Sequence, residues 1–159
     1  MALAVAAGAY AQHEHHAMPD KDSGKMQMAP MFENKEVGMA YASYIVLKDA
    51  LAASSVTKAR EAASELEKSM VNIENGAASI IQVANITAST SLDEQRTAFG
   101  ALSDQMAVLV KGNKLSMGTI YLDYCPMAKY SWLSNSKEIK NPYYGEKMLS
   151  CGSVTETIE

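Results

Sequence analysis

Two cysteines and two methionines lie close together in the last part of the chain. Met127 follows Cys125 by two positions, and Met148 precedes Cys151 by three. Thiolate and thioether sulfurs are soft ligands that favour Cu(I) and related thiophilic ions over hard cations. The surrounding segment, residues 119–154, also holds the single tryptophan and five of the eight tyrosines. The pattern predicts a soft-metal site, with Cu(I) or another soft ion as the cofactor.

The beginning of the chain resembles an export signal followed by a metal-gathering tail. Residues 1–11 form an apolar run that ends in an A-x-A pattern, which predicts a truncated signal peptide and a periplasmic protein. Residues 12–33 are rich in polar residues, histidine and methionine, which predicts a disordered tail. Imidazole and thioether groups both bind copper. The predicted secondary ligands in this tail are His13, His15, His16, Met26 and Met28.

A disulfide is the alternative use of the two cysteines, because exported proteins commonly oxidise such pairs. A bond between Cys125 and Cys151 would close a loop of about 27 residues and contribute ~3.5 kcal/mol in the chain-entropy model. Met127 and Met148 would then be packing residues beside the bond. In that case the chain would be a disulfide-stabilised interaction domain that binds no metal in its folded part. The residues alone leave both alternatives open.

The middle of the chain has the periodicity of amphipathic helices. Apolar residues recur at three- and four-residue intervals after Asn34, a predicted N-cap, and again after Ser55 and after Ser91. A shorter apolar piece lies between Ala77 and Ala88. These segments predict a mainly-α fold, an antiparallel bundle of about four helices within a single domain of residues 34–159. Three methionines are predicted to fill its core: Met39, Met70 and Met106.

After Gly118 the pattern changes to the alternation of β-strands. Ile120, Leu122 and Tyr124 alternate with more polar positions, and shorter extended segments are predicted around Trp132 and after Ser153. A small strand and turn subdomain should therefore carry the cysteines and methionines. The spacing of Met148 and Cys151 is also that of two residues on one face of a helical turn.

The same C-terminal motifs resemble a known family. YCPMA, WLS and then NPYYG, KM and CG are similar to a bacterial domain-of-unknown-function family of exported proteins. That family occurs free-standing and fused to periplasmic adaptor subunits of copper/silver efflux systems. The helical stretches YASYIVLKDALAAS and DEQRTAFGALSDQM extend the resemblance over about residues 36–157. It implies heavy-metal handling beside an efflux adaptor, with four candidate ligands by motif: Cys125, Met127, Met148 and Cys151.

Several function classes are disfavoured. The net charge of −4 argues against a nucleic-acid partner. A cysteine nucleophile needs a base held beside it, whereas all three histidines are in the predicted tail. No phosphate-binding loop or hydrolase motif occurs in the sequence. We therefore expect no catalysis, and no membrane span in the mature chain.

Overall fold

A computed structural model describes residues 29–74 and 76–159. This part of the chain contains four α-helices, which are α1 (Lys35–Ala52), α2 (Val56–Met70), α3 (Ala77–Ala88) and α4 (Leu92–Lys111). Each helix packs against the next, and α1 also contacts α4. Because the connections are short, successive helices are antiparallel. The predicted mainly-α bundle is confirmed.

The predicted helix starts are confirmed by their capping hydrogen bonds. The side-chain oxygen of Asn34 accepts from the backbone N–H groups of Glu36 and Val37 at 3.0 and 3.3 Å. Ser55 caps α2, and Ser91 caps α4 through the N–H of Glu94. These side chains satisfy backbone donors that have no partner within the helix.

Two of the three methionines that were predicted to fill the core lie on buried helix faces. Met70 and Met106 are buried, as predicted for core residues. The prediction for Met39 is wrong, because its side chain is 57% exposed. Helix α1 buries Val37, Tyr41 and Tyr44, which recur at helical spacing, and Met39 falls between them on the opposite face.

Two small antiparallel sheets complete the fold. Strand β1 (Met31–Phe32) pairs with β2 (Leu115–Met117). The second sheet has the order β4-β3-β5, formed by β3 (Ile120–Cys125), β4 (Tyr130–Ser134) and β5 (Ser153–Ile158). The predicted C-terminal strand subdomain is thereby confirmed.

Strand β1 lies inside the stretch 12–33 for which a disordered tail was predicted. Its Phe32 is buried, and the Phe32 ring packs edge-on against Tyr41 with centroids 5.6 Å apart. Burial of a large aromatic side chain offsets the entropy lost on ordering this short strand. Ordered structure therefore begins before Asn34.

Aromatic side chains join the bundle to the C-terminal sheet. Tyr44 of α1 stacks on Phe99 of α4 at 5.2 Å, and Phe99 contacts Tyr143 at 5.8 Å. Tyr143 in turn meets the buried Trp132 of β4 edge-on at 5.9 Å. One continuous core therefore supports both the helices and the segment with the cysteines. Within residues 29–74 and 76–159, none of the helices has the length and apolar character needed to cross a bilayer.

Candidate functional site

The two cysteines meet at one end of the three-stranded sheet. Cys125 is the last residue of β3, and Cys151 lies just before β5, whose Ser153 pairs with Tyr124 of β3. Both residues are free thiols, and their Sγ atoms are 3.9 Å apart. The antiparallel pairing of β3 and β5 thus brings together two sulfurs that are 26 positions apart in sequence.

The two thiols differ in their surroundings. Cys125 is buried, and its Sγ accepts a hydrogen bond from the N–H of Ala128 over 3.4 Å. Cys151 is partly accessible to solvent. Burial, together with the adjacent Cys125 thiol, raises the pKa of Cys151. At neutral pH Cys151 is therefore a protonated thiol that is accessible to solvent, and it lies next to the buried thiol of Cys125.

Both predicted thioether ligands lie in turns next to the cysteines. Met127 belongs to the β3–β4 connection, in which Lys129 N–H donates to Cys125 O over 2.8 Å. Met148 is joined to Cys151 by a hydrogen bond from Cys151 N–H to Met148 O over 3.0 Å. Their side chains are 59% and 38% exposed. Both methionines are therefore accessible from solvent.

The segment between Met148 and Cys151 is not the helical turn that the spacing suggested. A single 3-10 turn spans Gly145–Lys147 and ends before Met148, whose φ and ψ are −149° and 51°. An extended φ at Met148 turns the chain back toward β5. The two sulfur residues consequently share a hydrogen-bonded turn and not a helix face.

Asn141 holds the loop that carries Cys151, a role that the sequence analysis missed. Its side-chain N–H donates to Cys151 O at 2.6 Å, while its side-chain oxygen accepts from Tyr143 N–H at 2.8 Å and Tyr144 N–H at 3.2 Å. The backbone N–H of Asn141 also donates to Leu149 O over 2.8 Å. The residue is fully buried. An Asn before a Pro signals such a side-chain-to-backbone turn, but not its distant partner.

Arg96 connects the loop that carries Cys151 to the helical bundle through hydrogen bonds. Its Nε donates to Pro142 O at 2.8 Å, and its Nη2 donates to Leu51 O at 3.2 Å and to Ser54 Oγ at 3.0 Å. Only 9% of this residue is exposed. One guanidinium therefore joins α4, the end of α1 and the loop that carries Cys151, because its rigid fork can donate in several directions at once.

A buried carboxyl group lies on the same strand as Cys125. Asp123 is fully buried, and neither of its carboxyl oxygens has a hydrogen-bond partner among the described residues. Burial raises the pKa of Asp123 to about 6, while the neighbouring Ser134 side chain and, more weakly, the Lys48 ammonium act in the opposite direction. The alternating pattern of β3 did not predict that the Asp123 carboxyl is buried, where its charged form is disfavoured.

Two sulfurs at this separation form a donor pair typical of soft and borderline metal ions. Two sulfurs bound to one metal at ~2.3 Å with a tetrahedral angle would be ~3.8 Å apart, close to the observed 3.9 Å. In residues 29–74 and 76–159 no group of three or more His, Cys, Asp or Glu side chains could hold a metal. Further donors to an ion at the two cysteines would have to be Met127, Met148 or a ligand from another molecule.

The predicted tail ligands His13, His15, His16, Met26 and Met28 lie outside the described residues.

Comparison with known proteins gives one match. No curated protein and no solved structure matches the chain. The model of a family described as "Protein of unknown function (DUF3347)" matches residues 40–118, just under half of the chain. The match covers most of α1, all of α2, α3 and α4, and β2, but it ends before Cys125, whereas the motifs predicted a resemblance over about residues 36–157. Residues 40–118 are thus similar to a domain family of unknown function, which supports the predicted resemblance at that level.

Proposed function

We propose that the protein binds a soft metal ion, Cu(I) or Ag(I), through Cys125 and Cys151, with Met127 and Met148 as supporting ligands. Its role would be to sequester the ion or to deliver it to an efflux system, without catalysis. The observation that carries the proposal is the pair of free thiol sulfurs 3.9 Å apart. That separation is suitable for two sulfurs on one metal ion.

The unequal burial of the thiols suggests an order of binding. An incoming ion would first meet the partly accessible Cys151 and then the buried Cys125. Because the pKa of Cys151 is raised, binding at neutral pH must release its proton. The N–H of Ala128 donates to Cys125 Sγ and would stabilise the negative charge of a metal-bound sulfur.

The cellular setting is part of the proposal and rests on the sequence. The signal-like residues 1–11 and the resemblance to exported proteins support a periplasmic location. A heavy-metal efflux adaptor is the partner implied by that resemblance. The histidines and methionines between residues 12 and 28 would collect ions for the folded domain.

An anaerobic Cu(I) titration against a competing chelator tests the site. The full-length reduced chain is compared with Cys125→Ser/Cys151→Ser, and each is also made with the five tail ligands replaced by Ala or Leu. Tight binding of one ion should survive replacement of the tail ligands and disappear in the double cysteine variant. Met127→Leu and Met148→Leu should weaken binding roughly tenfold, whereas Met39→Leu on α1, where Met39 is about as exposed as Met127, should not.

One result of this titration would contradict the proposal. If Cu(I) binding is unchanged without the cysteines and is lost with the tail ligands, the folded domain does not bind the ion. The proposal for Cys125 and Cys151 would then be wrong.

A disulfide-stabilised interaction domain is the second candidate, and the same sulfur pair favours it. Closing the 3.9 Å gap to the ~2.05 Å of a disulfide requires only a local adjustment of the two side chains. The two thiols would give up two protons and two electrons to a disulfide-exchange protein of the exported compartment. Thiol titration of protein purified from that compartment distinguishes the candidates, because a stable disulfide leaves no titratable thiol and no Cu(I) site.

A further inference from the structure

Two exposed methionines form a cross-strand pair on the small sheet of β1 and β2. Met31 of β1 is the direct antiparallel partner of Met117 of β2. Side chains of directly opposed residues lie on the same face of a ladder, with Cβ atoms ~4.5–5.5 Å apart. Each thioether has enough flexible chain to reach a common point above the strands. Sequence analysis did not single out this pair, because its members are 86 positions apart.

Burial does not explain the pair. Met31 is 55% exposed and Met117 is 44% exposed, whereas the methionines that fill the core, Met70 and Met106, are almost fully buried. Short strands at a surface usually carry β-branched, aromatic or charged residues. Both thioether groups are therefore available to a ligand that approaches from solvent.

Hydrogen bonds hold the backbone on both sides of the pair, and the register of the two strands shifts between Met31 and Phe32. Ser116 Oγ donates to Met31 O over 3.2 Å, and Glu33 N–H donates to Lys114 O over 3.1 Å. The Lys114 ammonium is 2.5 Å from the Glu33 carboxylate, so that these neighbouring charges compensate each other. The strand pair thus positions both methionines without presenting an uncompensated positive charge to an approaching cation.

We propose that Met31 and Met117 form a second soft-metal site, a thioether pair that takes a monovalent ion such as Ag(I) or Cu(I). Thioether sulfur selects these ions over Zn(II), Mg(II) and Ca(II). The inference does not rest on the cysteine site. Met117 precedes β3, whereas Cys125 is its last residue, and the six residues of β3 span roughly 17 Å.

The two sites should respond differently to pH. A thioether carries no proton to displace, so affinity at Met31 and Met117 should change less than twofold between pH 6 and pH 8. Binding at the cysteines releases protons and should strengthen over the same range. This difference allows the two sites to be assigned separately.

An Ag(I) titration followed through methionine methyl resonances tests the proposal. The sample is the full-length chain with Cys125→Ser and Cys151→Ser and with the five tail ligands replaced, labelled at its methionine methyl groups. The Met31 and Met117 resonances should shift together and saturate at one equivalent of Ag(I). They should do so at a concentration at least tenfold below that which shifts Met39, an exposed methionine without a cross-strand partner.

Single substitutions complete the test. Met31→Leu should abolish the tight response of Met117, and Met117→Leu that of Met31, whereas Met39→Leu should leave both unchanged. If the two resonances shift only together with Met39, or independently of each other, the thioether site does not exist. Because the sample lacks the cysteines, neither result depends on whether the site at Cys125 and Cys151 is correct.

Discussion

The side-chain amide of Asn141 donates a hydrogen bond to the backbone carbonyl oxygen of Cys151 over 2.6 Å. This contact crosses the loop between β4 and β5 and fixes where the second thiol lies. Because Asn141 also accepts from two following N–H groups, one buried side chain sets the path of the loop on both of its sides. The distance between the two sulfurs therefore depends on a residue that contacts neither sulfur.

Asn141→Ala should destabilise the fold and weaken metal binding together. The substitution leaves Cys151 O and Tyr143 N–H without their partner, which should lower the free energy of unfolding by about 2–4 kcal/mol. Cu(I) affinity should fall roughly tenfold or more, as for other residues that hold a ligand in place. Urea unfolding and chelator competition measure the two effects.

Asn141→Asp is the matched control for this role. The aspartate keeps the acceptor for Tyr143 and Tyr144 but loses the donor to Cys151. It should therefore lose Cu(I) affinity, and the buried carboxylate opposite Cys151 O should destabilise the fold at least as much as Asn141→Ala does. Unchanged affinity in both variants would show that the contact does not position Cys151.

Gly152→Ala should be strongly destabilising. Gly152 has a φ of +142°, and a Cβ atom there would lie 2.7 Å from Cη2 of Trp132 and 3.0 Å from Tyr124 O. Strain and overlap should cost about 2 kcal/mol or more in a urea unfolding curve. Gly38 lies within α1, and in Gly38→Ala the new Cβ would be 3.8 Å from its nearest neighbour, the Phe32 ring, so this control should be neutral or stabilising by about 0.5–1 kcal/mol. Equal effects of the two substitutions would contradict the contacts described for Gly152.

Asp123 should make the fold less stable as the pH rises from 4 to 6. Its pKa in the native state is about 6 against an ordinary value of 3.8, so the native state binds more protons in this interval. The free energy of unfolding therefore falls by about 2 kcal/mol over this interval through Asp123. Asp123→Asn should remove that part of the pH dependence in unfolding curves recorded from pH 4 to pH 7.

The control for the Asp123 effect is Glu61→Gln on the exposed face of α2. This variant should keep the pH dependence of the unsubstituted protein. If Asp123→Asn keeps it as well, the Asp123 carboxyl is not the group that loses its proton near pH 6.

Cys151 should react with iodoacetamide well before Cys125. Cys151 is partly accessible, whereas Cys125 is buried and should be modified only when the structure opens. Because the thiolate is the nucleophile and the pKa of Cys151 is raised, its rate should still be rising above pH 9. Mass spectrometry of the two cysteine peptides measures both rates. In urea the rates should become similar, and a faster Cys125 under native conditions would contradict the burial described above.

The sequence by itself determined the helices, the starts of three of them and the strand character of the segment before Cys125. Apolar periodicity predicted α1 to α4, and the polar residues Asn34, Ser55 and Ser91 predicted where three of the helices begin. Alternation predicted β3, and the soft sulfur residues were visible from their types alone. These features are local, since helical and strand patterns repeat within a few residues.

Only the tertiary structure decided which distant residues meet. The antiparallel pairing of β3 with β5 brings the sulfurs of Cys125 and Cys151 within 3.9 Å, and the pairing of β1 with β2 places Met31 opposite Met117. The tertiary structure also decided the exposure of Met39, which depends on which face of α1 meets the core. Register and packing depend on residues far apart in the chain, so no local pattern in the sequence encodes these distances.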